Sequence, residues 1–484
     1  MWADGLAQAS DGWLGRVILT YALLVVGQYL ALHLLALADA VREVRAQRLA
    51  DRLSLFEADL APPISILVPA YNEGPTIVES VTSLMQLQYP TTEIIVVNDG
   101  SRDDTLERLR EAFGLRPSAR TLRARIPRER VRGVYSSPDH PFLVVLDVVN
   151  GGKARALNLA LAFARHPLFC AIDADSVLER DTLLRLALPF FRDPRVIVTG
   201  GVVRPSNGSR VVGGRVVSTR VPRSHLARFQ VVEYLRGMLA GRMGWNRMDS
   251  LFIVSGALGL FSREAVMAVG GYRTDTLGED MELVMRLQRW AHRKQRRHAV
   301  RFVSSAVAWT EVPETTRTLS RQRARWHQGL AESLWLNRRL LTRESFTVPR
   351  AIAFLSQVVV ELLGPVVEVV GFAIFAGLAF AGRADVPYAV LYGSLWVFGG
   401  AINSFMGLVL EGLVCPRYQR ARDVATLLAY SLVESLGYRQ LTAWWRIQGL
   451  GQALARRRSW GEMSRKGHDG GADAAETAPA RAAA

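Results

Sequence analysis

The sequence predicts an α/β domain with a mainly parallel sheet, inserted between N-terminal and C-terminal transmembrane helices. Three observations predict it. Strand-like and helix-like patterns alternate from about residue 62 to residue 345. Val17 to Ala38 runs for 22 residues without a charged side chain, about the length needed to cross a bilayer core as a helix. A second apolar territory extends, with breaks, from Ala351 to about Tyr438. Composition agrees: among 484 residues 49% are apolar and 21% charged, with 60 Lys+Arg against 44 Asp+Glu leaving +16. These values exclude disordered, collagen-like and disulfide-scaffold chains. Cys170 and Cys415 lie in no CxxC or Cys/His cluster, so zinc ribbons are excluded too and a reducing compartment is expected.

The segment before the first span carries Asp4 and Asp11, and the one after it Arg42, Arg45, Arg48 and Arg52, so the N-terminus is expected outside and the domain in the cytoplasm. A cleaved signal peptide fits poorly, for want of a cationic n-region and because the apolar run exceeds the usual length of roughly 7 to 15 residues. The excess of positive charge is therefore assigned to a membrane surface, with no nucleic-acid partner.

Ile64 to Val68, bounded by Pro62, Pro63 and Pro69, reads as a buried strand. Pro75 then opens a helix carrying Ile77, Val81, Leu84 and Met85 on one face. Ile94 to Val97 is a second strand, followed by a helix marked by Leu106, Leu109 and Phe113. Phe142 to Leu146, then Ala156, Leu157, Ala160 and Leu161, then Phe169 to Ile172 give strand, helix, strand. In the C-terminal block Val386 to Leu410 reads as a span. Val369 to Gly382 reaches spanning length only by taking in Glu368, and Val424 to Val433 stays open between a span and a re-entrant or interfacial helix. The expected divisions are 1–61, a transmembrane helix and basic linker; 62–315, the cytoplasmic domain; 316–348, amphipathic interfacial helices; 349–455, transmembrane and interfacial helices; and 456–484, a basic to polar disordered tail. The whole is expected to be a multi-pass protein of an inner or plasma membrane.

Ligands of such sheets gather at the carboxyl ends of the strands. The turns Ala70-Tyr71-Asn72-Glu73-Gly74 and Asn98-Asp99-Gly100-Ser101 lie there. Each alone is an ordinary turn or N-cap composition, and their pairing is what points to a ligand. Asp173-Ala174-Asp175 ends a further strand with two carboxylates, which offer oxygen ligands to a hard divalent cation, Mg2+ or Mn2+, carrying a diphosphate. Asn150-Gly151-Gly152-Lys153 opens the preceding helix, where Lys153 at a positive helix end suits a phosphate or a sugar hydroxyl. No GxxxxGK[ST] loop occurs, which leaves an ATPase without support. Gly256, in Val254-Ser255-Gly256-Ala257, is either a small residue lining a groove or a tight turn. His140 and His327 have no ligand partner at a useful spacing.

Together, LVPAYNEG at 67–74, VVNDGSRDDT at 96–105, NGGKARALN at 150–158, DADS at 173–176, SGALGLF at 255–261, GED at 278–280, WTEVPE at 309–314 and QRARW at 322–326 resemble the membrane-embedded family 2 glycosyltransferases, which include cellulose, hyaluronan and poly-N-acetylglucosamine synthases. The resemblance implies a GT-A-like, Rossmann-type domain and an inverting transferase. It places Tyr71, Glu73 and Asp99 on the uridine of a UDP-sugar donor, and Asp173 and Asp175 on donor and metal. Gln322 and Arg325 fall on the diphosphate, and Ser255, Gly256, Glu279 and Trp326 on the acceptor. Asp280 is implied as general base toward the acceptor hydroxyl.

Trp326, Leu330 and Leu334 form an i, i+4, i+8 stripe suited to the membrane interface, with Arg317, Arg321, Arg323, Arg338 and Arg339 available for lipid phosphates. The expected product is a β-linked polysaccharide built from UDP-glucose or UDP-N-acetylglucosamine and exported. Alternatives are transfer of a single sugar to a lipid or lipid-linked acceptor, and an inactive envelope scaffold. Several relatives have more N-terminal helices, which leaves a homo-oligomer or export partner to complete a secretion path. No cyclic-dinucleotide-binding domain is expected.

Overall fold

A computed structural model describes residues 13–52, 61–118, 131–293, 299–341, 347–382 and 386–456. Asp4, Asp11, the arginines between 119 and 130, and the tail from residue 457 lie outside the described residues.

The strands of the domain are β1 (Ile64–Ala70), β2 (Thr92–Asn98), β3 (Arg116–Pro117), β4 (Val131–Ser136), β5 (Leu143–Val148), β6 (Leu168–Ala171), β7 (Val177–Leu178), β8 (Val196–Pro205), β9 (Arg210–Val212), β10 (Arg215–Ser218), β11 (Gly259–Ser262) and β12 (Ala299–Thr310). All but β9 and β10, which pair with each other, join one sheet in the order β3-β4-β5-β2-β1-β6-β11-β8-β12-β7. Its middle strands are apolar without alternation because helices cover both faces. Leu67, Ile95, Val97, Val144 and Leu146 pack with Ala156, Leu157 and Ala160 of the Lys153–Phe163 helix. Ile64, Ile66, Val68, Ile94 and Val96 pack on the other side with Ile77, Val81, Leu84 and Leu109. Each such aliphatic side chain contributes about 1.5–3 kcal/mol on burial. The helix after β1 spans Ile77–Met85, starting two residues beyond Pro75, and Gly114 in the left-handed region (φ 57°) stops the Thr105–Phe113 helix.

The expectation of a mainly parallel sheet is corrected: the sheet is mixed. β1–β2, β1–β6, β2–β5 and β8–β12 pair in parallel. The β3–β4, β4–β5, β6–β11, β8–β11 and β7–β12 pairs are antiparallel. The cause lies in the connections. Only six residues separate β4 from β5, too few for the crossover a parallel pair needs, so the two form a hairpin. β11 then returns between β6 and β8 against both.

Among the described residues two helices are long and apolar enough to cross a membrane, at Gly15–Arg45 and Val390–Val414. They flank the domain, and the chain is a multi-pass membrane protein with the domain on the cytoplasmic side. Val348–Leu362 and Gly364–Phe380 form a further span only if taken as one pair bent by 40°. Pro365 sits at the break, where it cannot donate a helical hydrogen bond. The undecided segment is a 13-residue helix, Ala421–Val433, that packs on His225–Tyr234 of the domain and is too short to span. Tyr438–Leu454 lies along Thr316–Leu336. The two approach so closely that a Cβ at Gly449 would run into the Ala324 carbonyl.

Candidate active site

The turns after β1 and β2 are locked together. Asn72 adopts φ 55°, its N–H donates to Ser101 Oγ at 3.0 Å, and its Oδ1 accepts the Arg102 N–H at 2.8 Å. The Glu73 N–H donates to Thr105 Oγ1 at 2.9 Å and the Gly74 N–H to Asp103 Oδ2 at 3.0 Å. The result is one rigid rim that presents the exposed Tyr71 ring. The buried Glu73 carboxylate accepts from Thr76 Oγ1 at 3.1 Å. Asp99 is buried as well, and its two oxygens accept the N–H groups of Gly151 and Gly152 at 2.7 Å each, which clamps the loop ahead of Lys153 to the second turn.

Lys153 starts its helix with its ammonium on Asp173, and Glu279 stands at 3.9 Å. Burial opposes the lysine charge, but Asp173, Glu279 and Asp280 outweigh it and hold the group firmly protonated. Burial pushes the Glu279 carboxyl up to about 7; Lys153 pulls it back and Asp280 adds to the rise. Asp175 is buried and accepts from Thr310 Oγ1 at 3.1 Å. Asp280, in the first turn of Glu279–Arg293, accepts the Gly256 N–H at 3.0 Å and the Met281 N–H at 2.7 Å. Gly256 is both things the sequence left open. It belongs to the turn in which the Leu258 N–H reaches Ser255 O at 3.0 Å, and a Cβ there would come within 3.0 Å of Lys153 Nζ.

On Thr316–Leu336, Gln322 accepts from Arg323 Nη1 at 2.7 Å. Arg323 is not available to lipid phosphates, contrary to the sequence expectation. Only 3% exposed, it pairs with Glu233 at 2.8 Å, and Glu233 also accepts from Tyr438 Oη at 2.7 Å. Burial would raise the Glu233 carboxyl, but Arg323 and Tyr438 hold it below the usual carboxylate range. The Arg323 guanidinium also lies 4.4 Å from the Trp326 ring centroid, which fixes that ring beside the site. Leu330 and Leu334 face inward, packing near Phe252 and Phe354, so the expected lipid-facing stripe is corrected as well. Two aromatics of this helix are exposed, Trp326 at 39% and Trp335 at 68%, the latter stacked by Arg338.

His327 has a structural place. Arg446 Nε donates to its Nδ1 at 3.2 Å, and its Nε2 lies 3.2 Å from the Leu362 carbonyl, a pattern that needs the neutral Nε2–H tautomer. Burial first, then Arg446, depresses its pKa to about 3. Below the ordinary value of 6.5 the unfolded chain binds a proton that the folded one refuses, so stability is lost as pH falls from 6.5 toward 3. Thermal midpoints between pH 7 and 5 are expected to fall less in His327→Gln than in the parent. Parallel curves would contradict this.

Every site residue singled out from the sequence, from Tyr71 and Glu73 through Asp99, Asp173, Asp175 and Ser255 to Asp280, Arg325 and Trp326, lines one cavity of about 1440 Å³. The cavity continues from the nucleotide-side turns past the carboxylates to Tyr21 and Tyr29 of the N-terminal helix, Trp396 and Asn403 of Val386–Val414, and Arg439 and Arg446 of Tyr438–Leu454. Sequence reasoning missed Glu233, Arg236 and Arg242 in its wall. The one available signal was arginine set in the apolar helical stretch LRGMLAGRMGW. Among the described residues no cluster of three or more His, Cys, Asp or Glu side chains forms a closed metal site. Asp173 and Asp175 nevertheless offer hard oxygen donors to the cavity, which fits a cation completed by phosphate oxygens rather than by protein alone.

Two family models match the chain: Glycosyl transferase family 2 over residues 65–252 and Glycosyl transferase family group 2 over residues 168–406. The chain is similar to the poly-beta-1,6-N-acetyl-D-glucosamine synthase of Staphylococcus epidermidis, 28% identical over 271 residues. It is also similar to that of Staphylococcus aureus strain COL, 27% identical over 272 residues. Each alignment covers 56% of this chain and 55% of the relative, so the match spans about half the length of these curated proteins. In fold it resembles the mannosyltransferase PcManGT from Pyrobaculum calidifontis, with a TM-score of 0.57 at 19% identity, covering 91% of this chain and 100% of that one. The two models together take in the strand-end turns, the DAD and GED carboxylates, the QRARW helix and the first part of the second membrane span, and the chain belongs to the family 2 glycosyl transferases.

Proposed function

We propose that the protein is an inverting transferase that polymerises a UDP-sugar of the glucose or N-acetylglucosamine class into a β-linked polysaccharide and exports it. One observation carries this reading: a single cavity joins the nucleotide-side turns, the carboxylates and the membrane helices. A site for one short soluble acceptor has no need of walls contributed by the N-terminal span. The synthase relatives named above favour N-acetylglucosamine as the sugar.

In the proposed reaction the acceptor hydroxyl oxygen attacks the anomeric carbon from the face opposite UDP. The bond from that carbon to the diphosphate oxygen breaks with its electron pair going to UDP, and the hydroxyl proton passes to Asp280. An α-linked donor thus becomes a β-linkage. Tyr71, Glu73 and Asp99 frame the nucleoside. Lys153, Gln322 and Arg325 face the diphosphate, where positive charge offsets the negative charge that develops as it leaves. Asp173 and Asp175 would hold a divalent cation, which supplies further charge neutralisation on the diphosphate when bound. Ser255, Gly256, Glu279 and Trp326 shape the acceptor side, the indole packing on the apolar face of a sugar ring.

Full-length protein in nanodiscs, given labelled UDP-glucose or UDP-N-acetylglucosamine with Mg2+ or Mn2+, is expected to yield high-molecular-weight product that resists extraction with lipid. Single-sugar lipid adducts would establish transfer to a lipid acceptor instead, and absence of UDP release with any donor would leave a scaffold. Asp175→Asn is expected to weaken Mn2+-dependent UDP binding by roughly tenfold or more, the loss of one charged ligand contact. Equal affinity in a calorimetric metal titration would remove Asp175 as a ligand.

A further inference from the structure

A cationic side chain withdrawn from water is costly unless an anion or a set of oxygen acceptors replaces the lost hydration. The cavity meets that demand at Lys153 with Asp173, at Arg236 with Glu434 and at Arg323 with Glu233. Arg242 departs from it. This side chain is 6% exposed and lines the cavity, yet among the described residues it has no hydrogen bond or ion pair, and its Nη1 is shut off from solvent without a partner. Burial brings its pKa down to about 10, with Asp280 and then Tyr234 opposing the fall, so the group is still cationic at neutral pH.

Its place in the fold says which half of the cavity it serves. Arg242 opens the Arg242–Arg247 helix directly after the π-helical turn Leu235–Gly241, and that short helix packs on the N-terminal span. Tyr71, Glu73 and Asp99 lie on the far strand-end turns, and Asp173 has Lys153 as its cation. Asp280, the proposed base, lines the same cavity, and its charge opposes the effect of burial on Arg242. The next wall residues along the chain, Trp245, Ser250, Leu251 and Phe252, include no anion.

We infer that Arg242 is an acceptor-binding residue, whose N–H groups hold oxygen atoms on the terminal sugar of the acceptor while Asp280 faces the attacking hydroxyl. This rests on the transferase reading and adds to it a specificity element that the motifs do not contain. The oxygens belong to ring hydroxyls, to an acetamido carbonyl or to a carboxylate, all of which present lone pairs to a guanidinium. Among the described residues its buried Nη1 has no partner, and a seated sugar supplies one.

The test compares parent, Arg242→Met and Arg242→Lys as full-length protein in nanodiscs. Calorimetry gives the affinity for UDP with Mn2+ and, with UDP present, the affinities for β-linked oligosaccharides of N-acetylglucosamine, of glucose and of glucuronate. Thermal unfolding is followed without ligand. Arg242→Met is expected to keep UDP affinity within about twofold and to lose about tenfold or more for at least one oligosaccharide, the usual scale for a hydrogen bond from a charged group. Arg242→Lys restores part of it. Loss confined to the N-acetylglucosamine oligomer identifies the acetamido carbonyl, loss confined to glucuronate the carboxylate, and equal loss in all three the hydroxyls. Because no partner is stranded, the ligand-free midpoint of Arg242→Met is expected at or above that of the parent. Unchanged affinity for every oligosaccharide, parental failure to bind any of them, or a parallel loss of UDP affinity would overturn the assignment. Tight oligosaccharide binding without turnover in the parent would instead sink the transferase reading and leave Arg242 in place.

Discussion

Asp280→Asn is expected to lower sugar transfer by about 10²- to 10⁴-fold, the range general-base contributions usually span, while UDP affinity stays within about twofold of the parent. The geometry separates the two effects. Asp280 is held by two N–H groups, that of Gly256 on Oδ2 and that of Met281 on Oδ1, so the asparagine oxygen keeps one of these bonds and the local cost stays on the acceptor side. What the amide cannot do is take a proton from the acceptor hydroxyl. The nucleotide side is framed by other residues, on the turns after β1 and β2, and has no reason to move. Turnover and calorimetric UDP binding measured on the same preparation give both numbers, and parental turnover in Asp280→Asn would remove the base assignment.

Arg323→Ala is expected to destabilise the fold by about 3–5 kcal/mol, the cost of leaving a buried carboxylate without its cation. Glu233 would keep only Tyr438 among the contacts described above, and Gln322 and the Trp326 ring would lose the guanidinium that orients them. The thermal midpoint is therefore expected to drop by several degrees, and UDP release to fall with it. Arg317→Ala, on the exposed side of the same helix, should shift the midpoint little, as surface changes usually stay within about 0.5 kcal/mol. Combining Arg323→Met with Glu233→Gln removes both charges and is expected to recover part of the loss. Equal midpoints for Arg323→Ala and Arg317→Ala would show that the Glu233 pair does not hold this region.

Local patterns made the site legible but left its wall dark. Strand-to-helix turns with Asn, Asp and Gly announce themselves because their composition is imposed by backbone geometry; the sheet then brings Asp99 and Asp175 to one cavity, which Asp280 joins from the Glu279–Arg293 helix. Strand direction is different. The apolar run of β11 reads the same whether it joins its neighbours in parallel or against them, and only the chain path between elements decides. Arg323 shows the same limit for side chains. From the sequence it is one arginine among several on an amphipathic helix, and its burial depends on Glu233, 90 residues earlier, meeting it across the fold. Arg242 gave a weak sign, a charge set among apolar and glycine residues, but neither its lack of a partner nor its nearness to Asp280 is written locally.

The helix Tyr438–Leu454 lies against the QRARW helix at Gly449 and Ala324 and sends Tyr438 to Glu233, while Arg439, Thr442 and Arg446 line the cavity. The far end of the chain is thus part of the floor on which the reaction is proposed to run. A water-soluble fragment stopping near residue 315 would keep the sheet and lose that floor together with the QRARW helix. Truncation to gain solubility would therefore sacrifice turnover, and enzymology on this chain calls for a lipid or detergent environment from the outset.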